Sequence, residues 1–239
     1  VDVRGVGAGA QDGGAGAAHL GHGDGDATTT VVGAGDTSAR PKGGAVFDSP
    51  QTCSLGNVPR VGSYSTGIDL AYTVRTYSDY STSVTLMRAN MPLDSRVYVV
   101  DVTRKQVRPE KMIEHISALR DRYPGAPITL HGNAQEVGAA QALSALGLRI
   151  TAKKATSDKY VRAQEVAAAW NAGKIIVPSD APWSSSFLDE VTSFTGAGDA
   201  YDDQVDALVS AWSSIGADRG TGAKVTGTRT FGKASRSAY

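Results

Sequence analysis

The sequence predicts an α/β layered sheet. Two patterns carry that reading. Three β-branched runs follow one another after residue 62, and apolar residues at helical spacing then alternate with short apolar runs. Size agrees, because 239 residues with 41% hydrophobic content can bury one substantial core and still carry tails.

Taken in order, residues 1–45 hold 13 of the 28 glycines and few bulky apolar side chains. Such a stretch buries too little to offset its ordering entropy, so a flexible arm or linker is expected there. Gly5, Gly7, Gly9, Gly33 and Gly35 resemble a phosphate loop only superficially. No Gly-Lys-Ser/Thr follows, and the full nucleotide-binding pattern is absent from the chain. The main domain is expected over 46–217 and a basic flexible tail over 218–239.

Tyr64–Leu70, Ser83–Arg88 and Arg96–Arg104 read as three strands, the last with Val97, Val99 and Val100 as its β-branched residues. Pro109 opens a helix carrying Met112, Ile113, Ile116, Leu119 and Tyr123, which Pro124-Gly125 ends. Ala126–His131 is a short strand, Val137–Leu146 a helix closed by Gly147, and Arg149–Ala152 another strand. Tyr160–Asn171 is a helix stopped by Gly173, and Lys174–Val177 a strand ended by Pro178. Trp183–Thr192 and Asp203–Ile215 are the last two helices. No internal repeat appears.

Composition excludes several classes. Cys53 is the only cysteine, which rules out an internal disulfide and a zinc cluster of several thiolates, and makes the cytosol the default location. No window approaches 18 uninterrupted apolar residues, so no membrane span is expected. The chain starts Val-Asp-Val-Arg without a Met, as expected of a piece cut from a longer protein. Net charge is zero, which argues against simple coating of nucleic acid. The last 22 residues are locally basic, as a solvated tail or as a contact to DNA phosphates.

Three places put carboxylates where a sheet could gather them. Asp69 ends an apolar strand, either as a turn residue or facing the crevice where α/β sheets hold ligands. Asp202 and Asp203 open a helix, with Asp206 behind them. One Asp suffices to cap a helix, and adjacent acids repel unless a cation lies near. Glu136 follows the strand ending at His131, as a helix-terminal charge or as a further ligand. Phosphodiester hydrolysis gives such acids a purpose, since Mg2+ or Mn2+ takes oxygen ligands and activates water.

The residues also carry a family resemblance over roughly 40–215. Gly67-Ile68-Asp69-Leu70-Ala71-Tyr72-Thr73, with Ser78-Asp79-Tyr80-Ser81, resembles the opening of the nuclease domain of tailed-phage large terminase subunits. Pro41-Lys42-Gly43-Gly44-Ala45-Val46-Phe47 resembles the segment joining that domain to an ATPase half. Ser157-Asp158-Lys159-Tyr160-Val161-Arg162-Ala163 resembles the family's Asp-Lys-x-x-Arg-Ala helix start. Ala169–Ile175, Pro182-Trp183 and Phe187–Val191 follow in the family's order, and Tyr201–Leu208 resembles its closing acidic motif.

The resemblance implies an RNase H-like mixed central β-sheet flanked by helices. It implies a metal-dependent endonuclease that cuts double-stranded DNA concatemers during phage genome packaging, in the host cytoplasm. Asp69, Asp203, Asp202 and Glu136 would be catalytic and hold one or two Mg2+ or Mn2+ ions. Lys159, Arg162, Lys153 and Lys154 would hold the DNA backbone, a role that positions DNA without reading sequence; the alternative is a solvated helix start. An ATPase domain, a small terminase subunit and a portal are the implied partners. The sequence departs from the family twice. His131-Gly132-Asn133 stands where the family commonly has an acid, leaving Glu136 as the nearest candidate and His131 as ligand or bystander. Tyr201 replaces a frequent His. Other readings are an RNase H-like resolvase or exonuclease, and a non-catalytic DNA-binding domain of the same fold.

Overall fold

A computed structural model describes residues 43–70, 80–90, 96–106, 109–132, 134–145 and 147–215. Residues 1–42 of the Gly-rich arm, Asp79 and the basic tail lie outside the described residues, as does the side chain of Glu136. The strands are β1 (Gln51–Cys53), β2 (Gly62–Asp69), β3 (Ser81–Ala89), β4 (Val97–Lys105), β5 (Ile128–Gly132), β6 (Ile150–Lys154) and β7 (Ile175–Pro178). The helices are α1 (Pro109–Arg122), α2 (Ala134–Ala145), α3 (Lys159–Asn171), α4 (Ser184–Ser193) and α5 (Asp203–Ile215).

All seven strands join one sheet in the order β1-β7-β4-β3-β2-β5-β6. Strands β2, β3 and β4 form an antiparallel meander at its centre. Helical crossovers add β5 and β6 in parallel beyond β2, and β7 in parallel beyond β4. The result is a mixed sheet flanked by helices, as the resemblance implies.

Both faces are covered, which explains the nearly continuous burial of β3. On one face, α3, α4 and α5 pack Trp170, Phe187 and Leu208 against Val84, Leu86, Val99 and Ile175. On the other, α1 and α2 pack Ile116, Leu119 and Leu143 against Ile68, Leu130, Met87 and Tyr98. Val46 and Phe47 belong to the first core, and Trp170 Nε1 ties this segment down through the Asp48 carbonyl at 2.9 Å.

Every helix and strand expected after residue 62 is present, with ends shifted by a few residues. Strand β1 and the 3-10 turn Leu55–Asn57 go beyond what the sequence predicts. The strand spans three residues, Gln-Thr-Cys, too short for any alternation to register. Its pairing with β7 comes from 125 positions away, Gln51 lying level with Ile176.

Gly67 fixes how α5 sits. A Cβ there would lie 1.9 Å from the Ala207 carbonyl oxygen and 2.3 Å from the Ala211 nitrogen. Helix and strand backbones therefore touch at this point, which only glycine permits. The Ser65 hydroxyl, on the same face, donates to the Ala211 carbonyl at 2.8 Å.

Candidate active site

Strand pairing lines up one residue from each of five strands on the α5 face of the sheet. Arg104 of β4 lies opposite Thr82 of β3, and Thr82 lies opposite Asp69 of β2. Gly67 is level with Thr129 of β5, so Asp69 and His131 each stand two residues further on. His131 is level with Lys153 of β6. The row thus reads Arg104, Thr82, Asp69, His131, Lys153.

Helix α5 crosses over this row. The Asp203 carboxylate at its start lies 3.5 Å from the Arg104 guanidinium. Ser210, two turns on, meets His131 Nδ1 at 3.0 Å, and the Ser213 carbonyl accepts from Lys153 Nζ at 2.9 Å. Asp206 lies between, and among the neighbouring charges it acts most strongly on Asp69.

A remote residue caps α5. The Glu190 carboxylate, buried on α4, accepts from the Gln204 backbone N–H and from Gln204 Nε2, both at 2.6 Å. This binds a free N–H at the positive end of the helix with a negative charge. The side chains of Asp202 and Asp203 turn instead to cations. Lys159 Nζ lies 2.9 Å from Asp202 Oδ1 and 2.5 Å from Asp206 Oδ2. Arg162 lies 3.5 Å from the other oxygen of Asp206 and also donates to the Ser157 carbonyl. Arg104 is held between the rings of Tyr80 and Tyr201, 4.0 and 4.6 Å from their centroids.

Crowded acids resist ionisation. Burial, followed by the charges of Asp206, Asp203 and Asp202, pushes the Asp69 carboxyl up to about 8 against the opposing pull of Lys159. Burial also raises Asp203, with Glu190 adding to it, and raises Asp206 despite Lys159. For Lys159 burial opposes the charged form, but Asp206 and Asp202 outweigh it and hold the ammonium protonated. His131 is pushed down to about 4 by burial and by the charges of Lys153 and Arg162, so its ring is neutral near pH 7.

Residues 66–214 match the terminase RNaseH-like domain family. The chain belongs to that family. No curated protein matches it in sequence. Among solved structures, the large terminase nuclease of thermophilic phage G20c, with bound cobalt, is similar at a TM-score of 0.54 and 19% identity. That match covers 72% of this chain and 98% of the other, and the same nuclease with bound magnesium matches equally. The large terminase of a second thermophilic bacteriophage gives a TM-score of 0.51 at 18% identity, covering 69% of this chain. The chain spans only 42% of that longer protein. At these identities the likeness is one of fold.

A metal ion is implied for a terminase RNaseH-like domain, so the donors must be tested for fit. Among the described residues, no three His, Cys, Asp or Glu side chains stand close enough to close a metal site. Two observations nevertheless favour a cation. The charges of Asp206, Asp203 and Asp202 all act on Asp69 to favour a bound positive charge there, as crowded oxygen donors should. Thr82 Oγ1, fully buried and directly opposite Asp69, has no hydrogen-bond partner among the described residues. An enclosed hydroxyl without a partner calls for a ligand or an ordered water. The donor set fits.

Asp69, Asp202 and Asp203 thus gather in one region with Lys159 and Arg162. Lys153 is engaged by the far end of α5, and Lys154 is exposed at the end of β6. Glu136 lies in the first turn of α2, its side chain outside the described residues. The sequence does not single out Arg104, Thr82 and Glu190, and it shows Asp206 only as a third acid behind Asp202 and Asp203. Glu190 left a usable signal, an acid at helical spacing with Phe187 and Val191 on the inward face. Arg104 and Thr82 enter only through strand register.

Proposed function

We propose that this chain is a metal-dependent endonuclease that cuts double-stranded DNA concatemers during phage genome packaging. The observation that carries the reading is Asp69 placed beside Asp202, Asp203 and Asp206, with the unpartnered Thr82 hydroxyl opposite. Asp69, Asp203 and Asp202 would hold Mg2+ or Mn2+, with Glu136 as the further candidate ligand. When bound, such ions activate the attacking water and neutralise the leaving oxygen.

The chain's own residues do the rest. Asp69 would serve as a ligand in its deprotonated form. Glu190 and Arg104 keep the start of α5 in place, so that Asp202 and Asp203 are aimed before substrate arrives. Lys159, Arg162, Lys153 and Lys154 would neutralise DNA phosphates and position the duplex. An ATPase domain, a small terminase subunit and a portal would be the partners that select the cut, in the host cytoplasm.

The test is plasmid cleavage with Mn2+, beside EDTA and Asp69→Ala. Cleavage that survives both treatments would falsify the reading. Linear duplex, four-way junction and RNA–DNA hybrid offered in parallel separate this activity from that of a resolvase or hybrid nuclease. One observation favours a non-catalytic DNA-binding domain: His131, not an acid, stands level with Asp69. That alternative gains if Mn2+ raises neither the melting temperature nor cleavage.

A further inference from the structure

We propose that Lys159 is a tethered counter-cation: its ammonium bridges Asp202 and Asp206 and releases them when a divalent ion enters beside Asp69 and Asp203. The inference rests on the metal reading above and adds the device that governs loading. Geometry carries it. Asp202 Oδ1 and Asp206 Oδ2 converge on one point, occupied by Lys159 Nζ at 2.9 and 2.5 Å. Two carboxylate oxygens bridged by one cation is the arrangement a divalent ion would itself adopt.

Placement points the same way. Lys159 is the first residue of α3, where the helix's own partial charge is positive and disfavours an ammonium. The acids of α5 are what hold it there. Its side chain is 47% exposed, so it can swing into solvent. Arg162 cannot do so as readily, at 15% exposure and bound to both Asp206 and the Ser157 carbonyl.

Charge favours the exchange. Asp69, Asp202, Asp203, Asp206 and Glu190 face three cations, Lys159, Arg162 and Arg104. A divalent ion that replaces the ammonium brings one more positive charge to these acids. The buried Thr82 hydroxyl beside Asp69 is a separate sign that a ligand belongs in this region. The released ammonium is then free for a DNA phosphate.

The test is titration of the full chain with Mn2+ by calorimetry, for wild type, Lys159→Met and Lys159→Arg. The expected result is Mn2+ binding several-fold tighter in Lys159→Met, and close to wild type in Lys159→Arg. The metal-free Lys159→Met protein should melt lower in EDTA and recover more on Mn2+ addition. A lysine with a merely structural role would weaken Mn2+ binding when removed, so equal or weaker binding by a folded Lys159→Met overturns the proposal. If wild type binds Mn2+ and the variant gains nothing, this inference alone fails. If neither binds, the metal reading fails with it.

Discussion

Asp69 sets how the metal-free protein responds to pH. An unfolded aspartate loses its proton near 3.8, whereas the folded one holds it up to about 8. Between those values the folded chain binds a proton that the unfolded chain has released. The contribution of Asp69 to stability is thus complete below about pH 4 and lost as pH rises through about 8. Asp69→Asn should remove this dependence, and its melting temperature in EDTA should exceed that of wild type most above pH 8. A difference that is flat across pH would refute the assignment. The proposed ion, on binding at Asp69, would have to expel the same proton. Calorimetric Mn2+ titrations near pH 7, in buffers of unlike ionisation enthalpy, should therefore give different apparent heats. His131 offers a second residue-level test. His131→Asp places an acid level with Asp69, so it should tighten Mn2+ binding and lower the melting temperature in EDTA. Weaker Mn2+ binding in this variant would show that the imidazole, not the position, is what matters.

At the scale of elements, α5 is held at its start and at its middle. Glu190→Ala leaves the Gln204 N–H uncapped and Arg104 short of an acid in a buried place. The expected loss is about 3 kcal/mol, read by urea denaturation. Gly67→Ala forces the α5 backbone off β2 and should cost about 1–3 kcal/mol or more, with Mn2+ binding weakened as well. An alanine variant with unchanged stability would mean that the two backbones do not touch. These elements were largely legible in the sequence, because α1, α3 and α5 repeat their apolar residues at helical spacing and β2 to β4 are β-branched. Strand β1 was not legible, since three residues leave no period and its pairing partner lies across the whole domain. The same division runs through the site. Asp69, Asp202 and Asp203 showed as acids at element ends. The roles of Glu190, Arg104 and Thr82 exist only once α4, β3 and β4 are set beside α5, and local sequence has no term for that.

Across the whole molecule, the described residues place the acids on one face of a sheet whose other face is closed by α1 and α2. The site is built on the sheet's central strands, where the long antiparallel pairing of β2, β3 and β4 leaves the backbone little freedom. The contact at Gly67 gives this rigidity a mechanical meaning. Helix α5 rests on β2 at Ala207 and Ala211, as a beam rests on a fulcrum. Asp203 projects about 6 Å beyond Ala207 on one side, at 1.5 Å per residue, and Ser214 about 4.5 Å beyond Ala211 on the other. The near arm is longer by one residue. The far arm is fastened to the sheet through Ser213 with Lys153 and Ser214 with Thr129. Loosening that fastening would tilt the near arm and spread the carboxylates, with no change to any of the acids themselves.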